Sequence, residues 1–314
     1  MVCLITGAAG MMGSHLYEAL KEKSKKKNFY DVVATYHNST LDERESITKD
    51  MEVLDVLDYD SVFGMIRDYR PDYIYHLAAQ SRPDVSFIDP QGTFATNVIG
   101  TTNLLQACAE LGNECTFINA SSSAVYGDID WSIPPDEDSP CNPLSPYGTS
   151  KLAQENIVKN YHKMYGSDEY RPLNYVNVRI FNCTGPRKVN DFVSDICRRV
   201  VNKEFPLKVG NLDTERSIVD VRDLVRGLIE CQTQILYSKN QTINLGSDVS
   251  YKMGNLLKLI AGDIPYEVDE SLFRPTDEPT IIGNIDKAES LMWWRPEIPI
   301  TKTISDTLDY WRNL

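Results

Sequence analysis

Two stretches of this 314-residue chain carry side chains able to move a proton. "NASSSAVYG" (119–127) sets three serines after the apolar run "CTFI", where a hydroxyl could serve a site or merely end a strand in a turn. "SPYGTSK" puts Tyr147 and Lys151 four residues apart, on one face of a helix. Such a pair could serve proton transfer coupled to a hydride step. A hydroxyl losing hydride must also lose its proton, and a carbonyl gaining hydride must gain one. A tyrosine can carry that proton if its pKa falls from about 10 toward neutrality, and an ammonium one turn away favours the tyrosinate.

Hydride also needs a carrier. "TGAAGMMG" supplies Gly7, Gly10 and Gly13 in GxxGxxG spacing, directly between a strand and a helix. Glycines there permit a tight turn and let backbone N–H groups approach a pyrophosphate at the helix start. Tyr36, His37 and Asn38 end the second strand, where an NAD site usually has an acidic residue on the ribose 2′-hydroxyl. None is present, which favours NADP(H), with NAD(H) as the alternative. The nearest arginine, Arg44, lies several residues on. Asp55 sits where it could bind an adenine amino group or cap a helix.

The elements that must hold these residues alternate in type. Apolar or β-branched runs at 2–6, 31–36, 72–79, 115–121 and 173–181 are separated by helical patterns at 11–25, 58–69, 92–111 and 145–165. That order predicts an α/β fold, a doubly wound parallel sheet of Rossmann type, with a smaller C-terminal substrate-binding part. The expected division is a dinucleotide-binding domain over 1–181, with later strands interleaved, and a substrate part over 182–314 closed by a helix near 302–312. Trp293 and Trp294 are expected to fill the gap beside the C-terminal segment. Asp220 and Asp223 are expected to start the helix that follows them.

With 32 basic and 45 acidic side chains, the net charge of −13 disfavours nucleic acid as a partner. Seven scattered cysteines without CxxC spacing suggest reduced thiols and no zinc site or other metal centre. No apolar run approaches the roughly 20 residues of a membrane span, and the first strand starts too early for a signal peptide. A cytoplasmic protein without membrane attachment is the expectation.

TGAAGMMG, HLAAQS, NVIGTTNLL, SSSAVYG and YGTSK follow one another as in the extended short-chain dehydrogenase/reductases, and the chain resembles that family over essentially its whole length. The resemblance implies that Ser122, four before Tyr126, orients the reacting oxygen, that Tyr147 is the acid/base, and that Lys151 also holds the nicotinamide ribose. It extends the cofactor contacts to Met11, Met12, Val56, Leu77, Ala78 and Ala79. His76, just before them, is expected to be packed rather than catalytic, as is the aromatic ring of Tyr126. Family members that dehydrate a nucleotide sugar carry Glu two residues after the Ser/Thr. This chain has Ala124, whose methyl cannot act as a base. Glu137 or Asp128 would be the substitutes.

"FNCTGPRKVNDFV", "KVGNLDTERSIVDVRDL" and "ESLFRPTDEPTIIGN" resemble the branch holding GDP-mannose 4,6-dehydratase and GDP-4-keto-6-deoxymannose reductase. This implies a GDP-sugar held by Asn182, Arg187, Val193, Arg216, Arg274 and Asp277, with Gln80, Ser81, Ser122 and Ser123 near the sugar. Arginine forks suit a diphosphate, although each arginine alone could equally form a surface ion pair. The expected activity is C4 reduction with NADPH; a 4-epimerase or a 4,6-dehydratase is the alternative. A homodimer through the helices at 92–111 and 145–165 is expected from the family.

Overall fold

The computed structural model describes residues 1–27, 30–37, 48–166, 173–273 and 278–314. Asn38, Arg44, Arg274 and Asp277 lie outside the described residues.

A seven-stranded sheet forms the centre. Its strands are β1 (Val2–Thr6), β2 (Asp31–Tyr36), β3 (Glu52–Val53), β4 (Tyr73–His76), β5 (Cys115–Ser122), β6 (Leu173–Ile180) and β7 (Gln241–Leu245), in the order β7-β6-β5-β4-β1-β2-β3. β1 pairs in parallel with both β2 and β4, and β4 with β5. Strands covered on both faces tolerate continuous apolar runs, and Cys3, Leu4 and Ile5 are fully buried. The doubly wound architecture is as the alternation of runs predicts.

The flanking helices are α1 (Met11–Lys27), α2 (Tyr59–Tyr69), α3 (Gly100–Glu110) and α4 (Pro146–Tyr165). Asp58 caps α2, accepting from the backbone of Asp60 and Ser61, whereas Asp55 accepts from Leu57 N at 2.9 Å and caps nothing. Ser145 caps α4 with Pro146 at its first position, where the missing N–H costs nothing. The single helix expected over 92–111 is broken. Pro90–Phe94 gives way to a π-helical stretch, Ala95–Ile99, before α3 begins. There Asn97 turns its amide inward to Gln80 O at 3.0 Å and Ser150 Oγ at 2.9 Å.

The chain forms two compact units with interleaved segments. The first comprises Met1–Ile129, Pro140–Arg179 and Leu228–Ile243; the second comprises Asp130–Ser139, Ile180–Gly227 and Asn244–Leu314. The first packs Leu4, Val33, Ile66, Ile74, Leu104 and Phe117 between sheet and helices. The second has its own core, built by α5 (Phe192–Val201), α7 (Met253–Ala261) and α8 (Ile300–Arg312), with Ile196, Leu207, Leu256 and Ile304 buried; α6 (Val221–Thr233) precedes α7. A small sheet there sets Glu215–Ser217 between Ser250–Lys252 and Thr280–Ile281.

Of the two adjacent tryptophans only Trp294 fills the core, fully buried with Nε1 donating to Asp223 O at 2.9 Å. Trp293 is 70% exposed, because the left-handed backbone ending the preceding helix turns it outward. Asp220 starts α6, accepting from Arg222 N at 2.8 Å. Asp223 instead accepts from Glu297 N and Ile298 N, tying the C-terminal segment to α6. Among the described residues no helix is long and apolar enough to cross a membrane.

Candidate active site

β1 and β4 lie side by side, Thr6 opposite His76, and the chain winds away from them in opposite directions. Beyond the carboxyl ends of such strands lies the crevice where open α/β sheets take ligands. Gly7 leaves β1 with φ +69°, and a Cβ on it would come within 2.7 Å of Ala78 N. A Cβ on Gly13 would reach Gly7 O at 2.3 Å, so these two glycines let turn, helix and β4 loop close on one another. Gly10 is different. It is exposed just before α1, and a Cβ there would meet only Gly7 O at 3.2 Å. Open backbone at the start of a long helix, followed by half-buried Met11 and Met12, fits a dinucleotide pyrophosphate. Leu77, Ala78 and Ala79 leave β4 beside this turn, half-buried. At the end of β2, His37 Nε2 stands 3.7 Å from Asp55, both side chains about half exposed. Val56 is buried, against Gly100.

β5 delivers Ser122 to the same end of the sheet. Its Oγ accepts from Ala124 N at 3.2 Å, folding residues 123–125 into a single 3₁₀ turn, and the hydroxyl also hydrogen-bonds the Tyr147 phenol. Gly148 makes that meeting feasible, since a Cβ there would lie 2.5 Å from Ala124 O. Tyr147 and Lys151 are both buried on α4, one turn apart. Lys151 Nζ donates to Ala120 O at 2.8 Å and to Gln154 Oε1 at 3.0 Å.

Burial governs the charges. It raises Tyr147 above the ordinary tyrosine value, with the Ser122 hydrogen bond opposing. It brings Lys151 down to about 7, with Glu155 opposing. The expectation that Lys151 draws Tyr147 toward neutrality is therefore not met by the protein's own groups. Desolvation disfavours both charged forms, and Tyr147 is a phenol at neutral pH.

Sequence reasoning missed what lies behind Lys151. Glu155 is fully buried on the next turn of α4, where it accepts from Ser121 Oγ at 2.6 Å and from Arg179 Nε at 2.9 Å and Nη2 at 3.0 Å. The Arg179 guanidinium also lies 4.9 Å from the centre of the buried Tyr126 ring. Two signals were available: the ladder 147–151–155, and an arginine inside the apolar run "NYVNVRIF". His76 is packed as expected. Burial and nearby Lys151 bring its pKa down to about 3, and its ring hydrogen-bonds Thr6 at 2.8 Å and Thr101 at 2.9 Å.

Gln80 is less available for a sugar than its position suggested, because its side-chain amide donates to Arg82 O and Thr93 Oγ1. Ser81 is exposed and Ser123 half-buried. Glu137 Oε1 accepts from Asn244 N at 2.6 Å, which commits that carboxylate to strand β7. In the second unit Asn182 Nδ2 donates to Ser217 O at 3.1 Å, joining its loop to the strand of Arg216. Arg216 itself donates to Glu215 O and Pro279 O. Arg187 holds a left-handed backbone, φ +69°, and the Val193 side chain is buried in the second unit's core. Among the described residues no group of three His, Cys, Asp or Glu side chains could hold a metal ion.

A Rossmann sheet with a glycine turn after β1 and a Ser–Tyr–Lys set on β5 and α4 is the layout of an extended short-chain dehydrogenase/reductase. The family model for GDP-mannose 4,6 dehydratase matches residues 4–307, and the chain belongs to that family. A Methanocaldococcus jannaschii protein described as a candidate UDP-glucose 4-epimerase is 30% identical over 314 residues, covering 99% of this chain and 98% of the relative. The GDP-6-deoxy-D-mannose reductase of Pseudomonas aeruginosa is 27% identical, covering 98% and 96%. The crystal structure of Thermus thermophilus UDP-glucose 4-epimerase with NAD superposes with TM-score 0.86 at 29% identity, covering 99% of both chains. The chain is thus an enzyme of the NAD(P)-dependent nucleotide-sugar dehydratases, reductases and epimerases.

Proposed function

We propose that this enzyme reduces the C4 carbonyl of a GDP-linked 4-keto-6-deoxyhexose, using NADPH. One observation carries the reading: Tyr147 is buried beside Ser122, which favours the neutral phenol, and the neighbouring position where dehydratases place a carboxylate is Ala124. A phenol suits a step that begins by giving a proton, and a methyl cannot take one from C5. Bound NADPH would supply the hydride. Ser122 Oγ hydrogen-bonds the carbonyl oxygen and Tyr147 Oη passes its proton to it. In its charged form Lys151 commits two of its three N–H groups to Ala120 and Gln154, which leaves the third for the nicotinamide ribose. Gly10, Met11 and Met12 take the pyrophosphate, His37 and Asp55 the adenosine end. Asn182, Arg187 and Arg216 grip the diphosphate of the sugar nucleotide, together with Arg274, and Asp277 serves its ribose.

A 4-epimerase that retains NAD is the second reading, favoured by the Methanocaldococcus and Thermus relatives. Purified protein offered GDP-mannose, its 4-keto-6-deoxy product or UDP-sugars, with NADPH or NADH, separates these. Consumption of NADPH with the keto sugar alone supports the proposal. Water loss from GDP-mannose, or isomerisation without added cofactor, overturns it. The proposal includes a homodimer through the helical stretches 92–111 and 145–165, supported by exposed Ile99 and Met164 and checked by sedimentation. It also includes a cytoplasmic setting, supported by seven free thiols.

A further inference from the structure

Behind Lys151 the polar side chains are buried and bonded in a way that leaves no choice of direction. Thr101 is the junction. Its hydroxyl donates to Asn97 O at 2.6 Å, and that carbonyl can only accept. The single Thr101 proton is then spent, so its oxygen accepts from both other neighbours, Gln154 Nε2 at 2.8 Å and His76 Nε2 at 2.9 Å. His76 is neutral and fully buried, so its proton sits on Nε2 and Nδ1 is bare. Thr6 Oγ1 therefore donates to Nδ1 at 2.8 Å, and in turn accepts from Ala78 N at 3.2 Å. With its Nε2 committed to Thr101, Gln154 presents Oε1 to Lys151, which donates to it at 3.0 Å. Turning the amide over would oppose two acceptors at Thr101 and, with Lys151 charged, two donors at Lys151.

We propose that Gln154 is a positioning residue for Lys151, its amide locked in one orientation by Thr101 and, through His76 and Thr6, by the β4 loop that carries Ala78. Asn97 completes the frame: its amide bridges Gln80 to Ser150, so the helix holding Thr101 is fixed to both the β4 loop and α4. The direction of the third Lys151 N–H thereby depends on the geometry of the loop beside the glycine turn. The inference rests on the reading that Lys151 serves the dinucleotide.

The charged and titratable groups acting on Lys151 are Glu155 from α4 and His76 from β4, with Tyr147 one turn away on α4; Arg179 of β6 and Lys159 act through Glu155. Against that fixed background two substitutions displace the ammonium in opposite senses. Gln154→Leu removes an acceptor of the charged form and lowers the Lys151 titration; Gln154→Glu adds a negative charge and raises it. The experiment follows the Lys151 side chain by NMR of lysine labelled at Cε in the full chain, with steady-state kinetics alongside. Gln154→Leu should raise the KM for the dinucleotide about tenfold or more, the weight of one hydrogen bond to a charged group, with a smaller change in kcat. Midpoints that do not move, or that move the same way in both variants, overturn the proposal. ¹⁵N NMR of the wild-type His76 ring should give the Nε2–H tautomer. An Nδ1–H ring breaks the chain, and this measurement stands even where a Gln154 variant does not fold. Lys151→Met that binds dinucleotide like the wild type defeats the reading of Lys151 itself, a failure distinct from unmoved midpoints in the Gln154 pair.

Discussion

The end of β5 and the arginine-bearing loops of the second unit spend charge in opposite ways. Around α4, Lys151, Glu155 and Arg179 have lost nearly all contact with water, and each meets a specific partner. In the second unit Arg295 is 52% exposed beside Asp248, itself 47% exposed. Removing a desolvated charge strands its partner; removing a wet one leaves water to take its place. Chemistry that must be repeated without error belongs in the first setting. Recognition of an anionic ligand, which arrives and departs, suits the second.

The sharpest way to break the comparison is Tyr147→Phe, which removes the proposed proton donor from the dry region. Turnover should fall by about 10²–10⁴ with dinucleotide binding retained, measured by steady-state rates and cofactor titration. Glu155→Ala should cost about 3–5 kcal/mol, since it leaves Arg179 buried without its carboxylate. Urea denaturation checks this, and a loss below about 1 kcal/mol would place the pair among ordinary surface bridges. His76 gives a pH signature. Its folded value, about 3, lies below the ordinary 6.5, so the unfolded chain takes up the proton first. Stability should decline from pH 6.5 toward pH 3 by at most about 1.4 kcal/mol per pH unit from this ring, and His76→Asn should remove that part of the slope. The smallest effect belongs to the wet region: Arg216→Ala should raise the KM for the sugar nucleotide about tenfold while kcat stays within about twofold, the signature of uniform binding.

The order of strands and helices was legible because parallel strands declare themselves as apolar runs, and Tyr147 and Lys151 because helical neighbours recur every fourth position. The Glu155–Arg179 pair was not, since its partners lie 24 positions apart on different elements and only folding makes them neighbours. The direction of the Tyr147 shift escaped for a related reason: spacing brings a lysine near, but burial decides how much charge it carries. Asp55 and Asp58 look alike as caps in sequence; where the helix begins decided for Asp58. Trp293 and Trp294 diverged through one left-handed residue, which no side-chain pattern encodes.

The contact between Gly148 and the Ala124 carbonyl bears on how this catalyst could be retooled. Position 124 is half-buried, so its side chain keeps contact with solvent and is where a carboxylate would be tried. Position 148 offers no such latitude, because any side chain would wedge the serine away from the phenol. New reactions are reached through the first door, and the second stays shut.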